Sequence, residues 1–459
     1  MNTETVPQPV LFPDLVDRPL VATLDQEQAT SDGGAVLLKA AERQYGLLDG
    51  FAECLVDDRQ PGKVRHPLGD LLGQRVFGIA CGHPDGNDAD RLADDPIHKL
   101  LLGRDPVTGE ALASQPTVSR FEHHVGREAL YALGCELATS VLARHHRRRH
   151  GRARRITIDL DPTEAPTHGD QQLTFFNGYY DSWCYLPLLA FLTFDDEAEQ
   201  YLCAAVLRPG EGPATRGARG LLCRLVALVR GAFPGARVRV RLDGGFATPE
   251  IFDFLDAAPR RDYVVAMAKN AVLTRAAEPA MTTARAQSAA SGQTEHVYTD
   301  VSYAAASWAA PRRVIIKAEV VHLAGREPQD NPHFVVTNLR QTPRFLCKRV
   351  YCARGDIENR IKELHDGLQI GRTNCCRFWA NQLRVLLTAA ASVLLQELRL
   401  RAAGTACART QVTWLRDRLL KLGVHVVASV RRIVLHLPTA TPDLDAWRHI
   451  ACALGARPG

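Results

Sequence analysis

Asp161, Asp243 and Glu358 are the residues whose types and settings best suit catalysis. Asp161 closes the run ITIDLD, where apolar and polar residues alternate as on a strand. Asp243 closes a similar run, RVRVRLD, and two glycines follow it. Glycines there allow a tight turn and close backbone approach to a substrate. Glu358 lies in YCARGDIENRIKELH. Within it Tyr351, Arg354, Glu358, Lys362 and His365 recur at steps of three or four, the spacing of one helix face. Two strand carboxylates and one helix carboxylate can converge on two magnesium or manganese ions. Such a pair clamps the attacking and leaving oxygens of an in-line phosphoryl displacement. Asp159 shares the face of Asp161 and is the alternative first ligand; Asp161, at the strand end, is preferred.

Cations near these acids suggest that the phosphate belongs to nucleic acid. Arg237, Arg239 and Arg241 share the strand face of Asp243, a poor core but a plausible phosphate-facing wall. Residues 144–155 hold seven arginines and three histidines and lead into the first acidic strand. Arg147, Arg148 and Arg149 are its candidate phosphate contacts, with a solvated linker as the plain alternative. His145, His146 and His150 suit added positive charge better than a zinc site. His168 suits a turn as well as a DNA contact. Trp183, Trp379 and Phe378 can stack on a flipped base, although aromatics beside apolar runs are more often core. The pattern GxxxxGK[ST] is absent, so no nucleotide-driven motor is expected.

Together Asp-x-Thr, Asp-Gly-Gly-Phe and Tyr-x-x-Arg-x-x-x-Glu resemble the DDE transposases of bacterial insertion sequences. The nearest branch is the insertion-sequence-1380 group, in a superfamily with a Tyr-Arg-Glu-Lys helix signature. The resemblance spans nearly the whole chain, including HPLGDLLGQRVFGIACGHPDGNDADRLADDP, THGDQQ and FVVTNL. One position departs: His365 stands where the signature expects lysine, and Lys362, one turn earlier, is the substitute. The resemblance implies a ribonuclease-H-like α/β core with a β-rich insertion before Glu358. It implies metal-dependent cleavage of element ends and strand transfer into target DNA, with Asp161, Asp243 and Glu358 as catalytic metal ligands. Tyr351, Arg354, Lys362 and His365 would contact DNA. Partners would be the terminal inverted repeats, target DNA and a second copy of the chain in a synaptic homodimer. A decayed or repurposed relative that only binds DNA is the alternative; a glycosidase does not suit the arginine-faced strand.

Positioning these residues takes several domains, as 459 residues allow. Residues 1–19 read as an extended Pro-rich arm and 20–143 as a helical DNA-binding domain. Residues 144–155 read as an Arg-rich linker. The catalytic core takes 156–270 and 339–400. Residues 271–338, Ala/Thr/Ser-rich at first and without helical period, read as the β-rich insertion, and 401–459 as a basic C-terminal region. The net charge of +5 is too small to argue for nucleic acid by itself. Twelve scattered cysteines with no CxxC pair fit reduced thiols. The first residues are acidic and proline-rich, unlike a signal peptide. The apolar run around 385–395 is too short to cross a bilayer. A cytoplasmic protein with no membrane partner is expected.

Overall fold

The computed structural model describes residues 9–23, 25–323 and 325–457. Eight strands form the path of a mixed central sheet: β1 (Arg155–Pro162), β2 (Leu188–Phe194), β3 (Tyr201–Val206), β4 (Arg237–Leu242), β5 (Arg261–Met267), β6 (Glu295–Tyr303), β7 (Arg312–Val321) and β8 (His333–Thr337). Their spatial order is β6-β7-β8-β5-β4-β1-β2-β3, and Gln329–Asp330 adds a two-residue strand beside β7. The centre, β1-β4-β5, is parallel, while β2 and β3 add antiparallel on one side and β8, β7 and β6 on the other.

Helices explain why the sheet can be parallel at its centre. The crossover between β3 and β4 carries helix Ala218–Ala232, whose Leu222, Leu225, Val226 and Val229 are buried at helical spacing. Buried residues of this helix, of β1–β5 and of the early helices such as Leu68–Ala80 form one continuous apolar cluster. β1 is covered on both faces: Thr157 and Asp159 are buried as well as Ile156, Ile158 and Leu160. The helical N-terminal segment therefore shares its core with the sheet. Among the described residues one helix, Phe378–Arg401, is long and apolar enough to cross a membrane, but 89% of its apolar window is buried inside the protein. It is a core helix, packed against Leu68–Ala80 and β3.

Three sequence expectations need correction. Residues 271–291 form a helix, capped by the Asn270 side chain accepting from the Val272 and Leu273 amides. Half of its buried residues are alanine, which a hydropathy period undercounts although alanine is the best helix former. The proposed linker begins inside helix Arg127–Arg148. The N-terminal arm lies partly outside the described residues, and what is described folds back, with Val10–Phe12 antiparallel to Leu20–Ala22.

The two ends of the chain meet. Ala29–Thr30 pairs with Val424–Ala428, which pairs with Ile433–His436. Gly33 and Gly34 lie so close to this seam that a Cβ on Gly34 would collide with the Leu419 carbonyl, and one on Gly33 with the Val424 side chain. Across it, Lys421 Nζ lies 2.7 Å from Asp32 Oδ1.

Candidate active site

Parallel pairing of β1 and β4 decides where the acids fall. Asp159 lies opposite Arg241, so Asp161 and Asp243, each two residues further on, emerge side by side where the strands end. Asp243 Oδ1 also accepts from the Gly245 amide at 2.9 Å and shapes the turn, while Oδ2 is on the side of Arg354. The helical signature segment crosses the same strand ends. Arg354 Nη2 donates to Asp161 Oδ1 at 2.6 Å and lies 3.6 Å from Asp243 Oδ2. One buried guanidinium thus serves two carboxylates. Burial pushes the Asp161 carboxyl up to about 6; Arg354 opposes the shift, and the charges of Asp243 and Glu358 add to it. Tyr351 is half-buried beside Arg354 and Asp243, and its hydroxyl is raised by burial.

Two carboxylates at adjacent strand ends, with a third acid on the segment that crosses them, are the chemistry of a cation site, and the donor set is all oxygen, which suits magnesium or manganese. The three acids do not close up in this conformation. Among the described residues the group whose ligand atoms lie within 4.8 Å of one another is Asp32, His83 and His98. Arg354 stands between the aspartates and takes the position of positive charge.

Asp159 is placed differently from Asp161. It is fully buried and clamped by Arg241, Oδ1 to Nε and Oδ2 to Nη2 both at 2.7 Å, while Arg241 Nη1 donates to the Val350 carbonyl at 3.0 Å. The expected arginine wall is therefore not phosphate-facing. Arg241 is spent on Asp159, Arg237 bonds Asp262 at 2.7 Å, and Arg239 is buried 4.0 Å from Asp262.

The signature residues do not form one stripe. The segment changes pitch, with widened π turns at Leu346–Tyr351 and Glu363–Gly367 around a short α-helical stretch, Asp356–Lys362. Such turns rotate the residues beyond them. Arg354 is buried, Glu358 and Lys362 are exposed, and His365 turns inward. His365 Nε2 lies 2.8 Å from Thr163 Oγ1, and burial lowers its pKa. This placement ties the helix of Glu358 to the segment that follows Asp161, and it corrects the expectation of a surface DNA contact at His365.

A family model for the transposase DDE domain, group 1, matches residues 12–457. The chain belongs to that family. Transposase function and DNA-cutting chemistry come with membership. No curated protein matches the transposase. Two solved structures resemble it distantly. One is a piggyBac transposase synaptic complex with hairpin DNA, at 11% identity and TM-score 0.41, covering 90% of this chain and 82% of the other. The second is a Mos1 transposase paired-end complex with the left transposon end, at 16% identity and TM-score 0.16, covering 46% and 62%.

The arginine run of this transposase is largely neutralised within the fold. Arg144 pairs with Glu397, Arg148 with Glu197, Arg149 with Asp195 and Glu197, and Arg155 with Asp196. Arg147 remains exposed. His145 is buried against Phe194 and Tyr201, and burial lowers its pKa to about 2, so it adds no charge. The sequence reading missed Asp32, His83 and His98, which lie far apart in the chain. Burial opposes the charge of Asp32, yet hydrogen bonds from His83, His98 and Lys421 hold it well below the usual carboxylate range. The Lys421 ammonium already fills the role a metal would have there. Of the candidate stacking aromatics, Phe378 is core, but Trp379 is 41% exposed and Trp183 58%.

Proposed function

We propose that this transposase cleaves the ends of an insertion sequence of the 1380 group and joins the freed 3′-hydroxyl to target DNA. The observation that carries the reading is the pairing of Asp161 and Asp243 at adjacent parallel strand ends, with Arg354 between them and Glu358 one helical turn further on. Within the mixed sheet, the run β3-β2-β1-β4-β5, three parallel strands flanked by an antiparallel pair, supports a ribonuclease-H-like core.

Asp161, Asp243 and Glu358 would hold divalent cations, magnesium or manganese, which when bound activate the attacking hydroxyl and stabilise the leaving oxygen. Arg354 keeps the aspartate pair compatible with folding and stands ready for phosphate once they are otherwise neutralised. Lys362, exposed one turn beyond Glu358, reaches DNA backbone, and Tyr351 backs the cleft. Thr163 and His365 fix the helix against β1. The partners are the terminal inverted repeats and target DNA, and synapsis of two ends calls for a homodimer. Access to the chromosome fits a cytoplasmic protein. Intact carboxylates support an active enzyme over one that only binds DNA.

The test is cleavage of duplexes carrying the element's own ends, with magnesium or manganese and without ATP. Asp243→Asn should abolish cutting and leave end binding near wild type. Equal loss of both would overturn the assignment of Asp243.

A further inference from the structure

Between β1 and β2 the chain makes a small hairpin, Phe175–Asn177 against Ser182–Tyr185. It is unusually rich in exposed aromatic surface. Phe176 is 52% exposed, Trp183 58% and Tyr179 88%. Phe176 and Trp183 sit directly opposite each other across the strands, with ring centroids 6.3 Å apart. Tyr179 stands edge-on to Tyr180 at the tip, 4.9 Å between centroids. Burying these rings in the core would have been the ordinary outcome, since each removes a large apolar area from water. Leaving three of them in solvent costs stability and calls for a partner.

The hairpin is tied to the catalytic strand. Ala165–Pro166, which follows Asp161 by four residues, pairs with Cys184–Tyr185, and the Thr167 amide donates to the Trp183 carbonyl at 2.9 Å. Ser182 donates to Glu164, and Tyr185 Oη donates to the Gln172 carbonyl at 2.6 Å. Four extended residues span at most about 14 Å. Tyr180 lies near enough to Asp161 for that charge to act on its hydroxyl, which burial chiefly raises. The turn is rigid: Asn177 Oδ1 accepts from the Tyr179 amide at 3.0 Å, and Asn177 Nδ2 donates to the Gly210 carbonyl at 2.8 Å. A Cβ on Gly210 would collide with the Cys184 carbonyl, so the hairpin is seated without slack.

We infer that this hairpin is a stacking platform for unpaired bases at the cleavage site, with Trp183, Phe176 and Tyr179 taking nucleobases next to the scissile phosphate. The inference rests on the reading of Asp161 as part of the DNA-cutting centre. Every base has a π-face, so an aromatic platform binds unpaired nucleotides with little sequence preference. Acids at Glu164, Asp170 and Asp181 near the hairpin disfavour phosphate there and leave bases as the complementary part of DNA. Unstacking bases beside the cut frees the backbone there to turn, so that the scissile phosphate can be aligned with the metal-binding acids.

The experiment compares wild type with Trp183→Phe, Trp183→Leu and Tyr179→Ala. All three change exposed side chains, and thermal denaturation checks folding. The substrates are fully paired element ends, ends carrying mismatches beside the cut, and a short oligothymidylate for binding alone. Trp183→Leu and Tyr179→Ala should each lose about 10- to 100-fold in cleavage of paired ends and in oligothymidylate affinity. Cleavage should recover on mismatched ends, and Trp183→Phe should stay near wild type. Unchanged cleavage and oligothymidylate binding in the variants, with wild type cutting normally, would overturn the platform and leave the transposase reading intact. Variants that dissociate a dimer and bind oligothymidylate normally would make the hairpin a protein interface and equally overturn it. Failure of wild type to cut any end, with Asp161→Asn binding DNA as before, would instead count against the catalytic reading on which the platform depends.

Discussion

Asp159 and Asp161 stand two residues apart on one strand, yet neutralising them should have opposite consequences. Asp159→Asn removes one partner of an ion pair whose side chains are 0% and 6% exposed. The Arg241 cation is then left buried without a counter-charge, a change that costs about 3–5 kcal/mol. Arg241 also holds the Val350 carbonyl at the start of the signature segment, so the loss should loosen Arg354 and Glu358. Asp161→Asn works the other way. With its carboxyl pushed up to about 6 from 3.8, folding already opposes that charge, by on the order of 2–3 kcal/mol well above pH 6. Asn relieves this, partly offset by the weakened bond to Arg354, so stability should hold or rise. Thermal denaturation at pH 8 should show a midpoint lower by on the order of 5 °C or more for Asp159→Asn and no fall for Asp161→Asn. Cleavage of end DNA should vanish in Asp161→Asn. The double variant Asp159→Leu/Arg241→Met replaces the pair with apolar bulk and should regain much of the lost stability but not cutting, because the hold on Val350 goes with Arg241. The reasoning is refuted if Asp159→Asn is as stable as wild type and dead while Asp161→Asn still cuts.

Other expectations follow from the same kind of placement. His365 has a folded pKa below its unfolded value, so it stabilises above the unfolded pKa and that contribution is lost as pH falls below about 6.5. His365→Lys should bury a charge, lower the denaturation midpoint and reduce cleavage, whereas a silent His365→Lys would deny the Thr163 contact any role. Glu42 is buried with its carboxyl raised to about 7, so the folded state favours the protonated form and loses stability as pH climbs from about 4.5 through 7. Glu42→Gln should be more stable than wild type at pH 8 and show a smaller advantage at pH 5, measured as urea midpoints. Arg148→Ala/Arg149→Ala should lower thermal stability by releasing Glu197 and Asp195, and should leave the salt dependence of DNA binding nearly unchanged, because their charges are already spent. A log–log slope smaller by about 0.9 per arginine would show that they reach phosphate after all.

Strand runs such as ITIDLD and RVRVRLD are legible because alternation records one covered face directly. The ends of those strands, and so the approach of Asp161 to Asp243, follow once the two are taken as parallel neighbours. What sequence could not show is where charge is cancelled. Arg149 meets Asp195, Arg241 meets Asp159, and Arg399 meets Glu199 and Glu363, partners tens to hundreds of residues away. Local charge counts over 144–155 or along β4 see the cations alone. The helix of 271–291 was hidden for another reason, since half of its buried residues are alanine. The inward turn of His365 depends on one widened helical turn, which no fixed three-or-four spacing can anticipate. The exposed Trp183 inverts the usual reading of an aromatic beside apolar residues, and only the solvent exposure of the hairpin reveals it.

The seam between Ala29–Thr30 and Val424–Ala428 has a consequence for how the molecule comes into being. Residues made first find their partners only when residues made roughly 400 positions later have left the ribosome. At about 5–20 residues per second, that interval is on the order of 20–80 seconds. During it the Gly33-Gly34 turn has nothing to pack against, and Asp32 lacks the Lys421 ammonium. A nascent chain that has not yet made residues 419–428 thus lacks this seam. Docking of Ala29–Thr30 and of the Gly33-Gly34 turn is therefore a late step, completed after most of the sheet and its covering helices have been made.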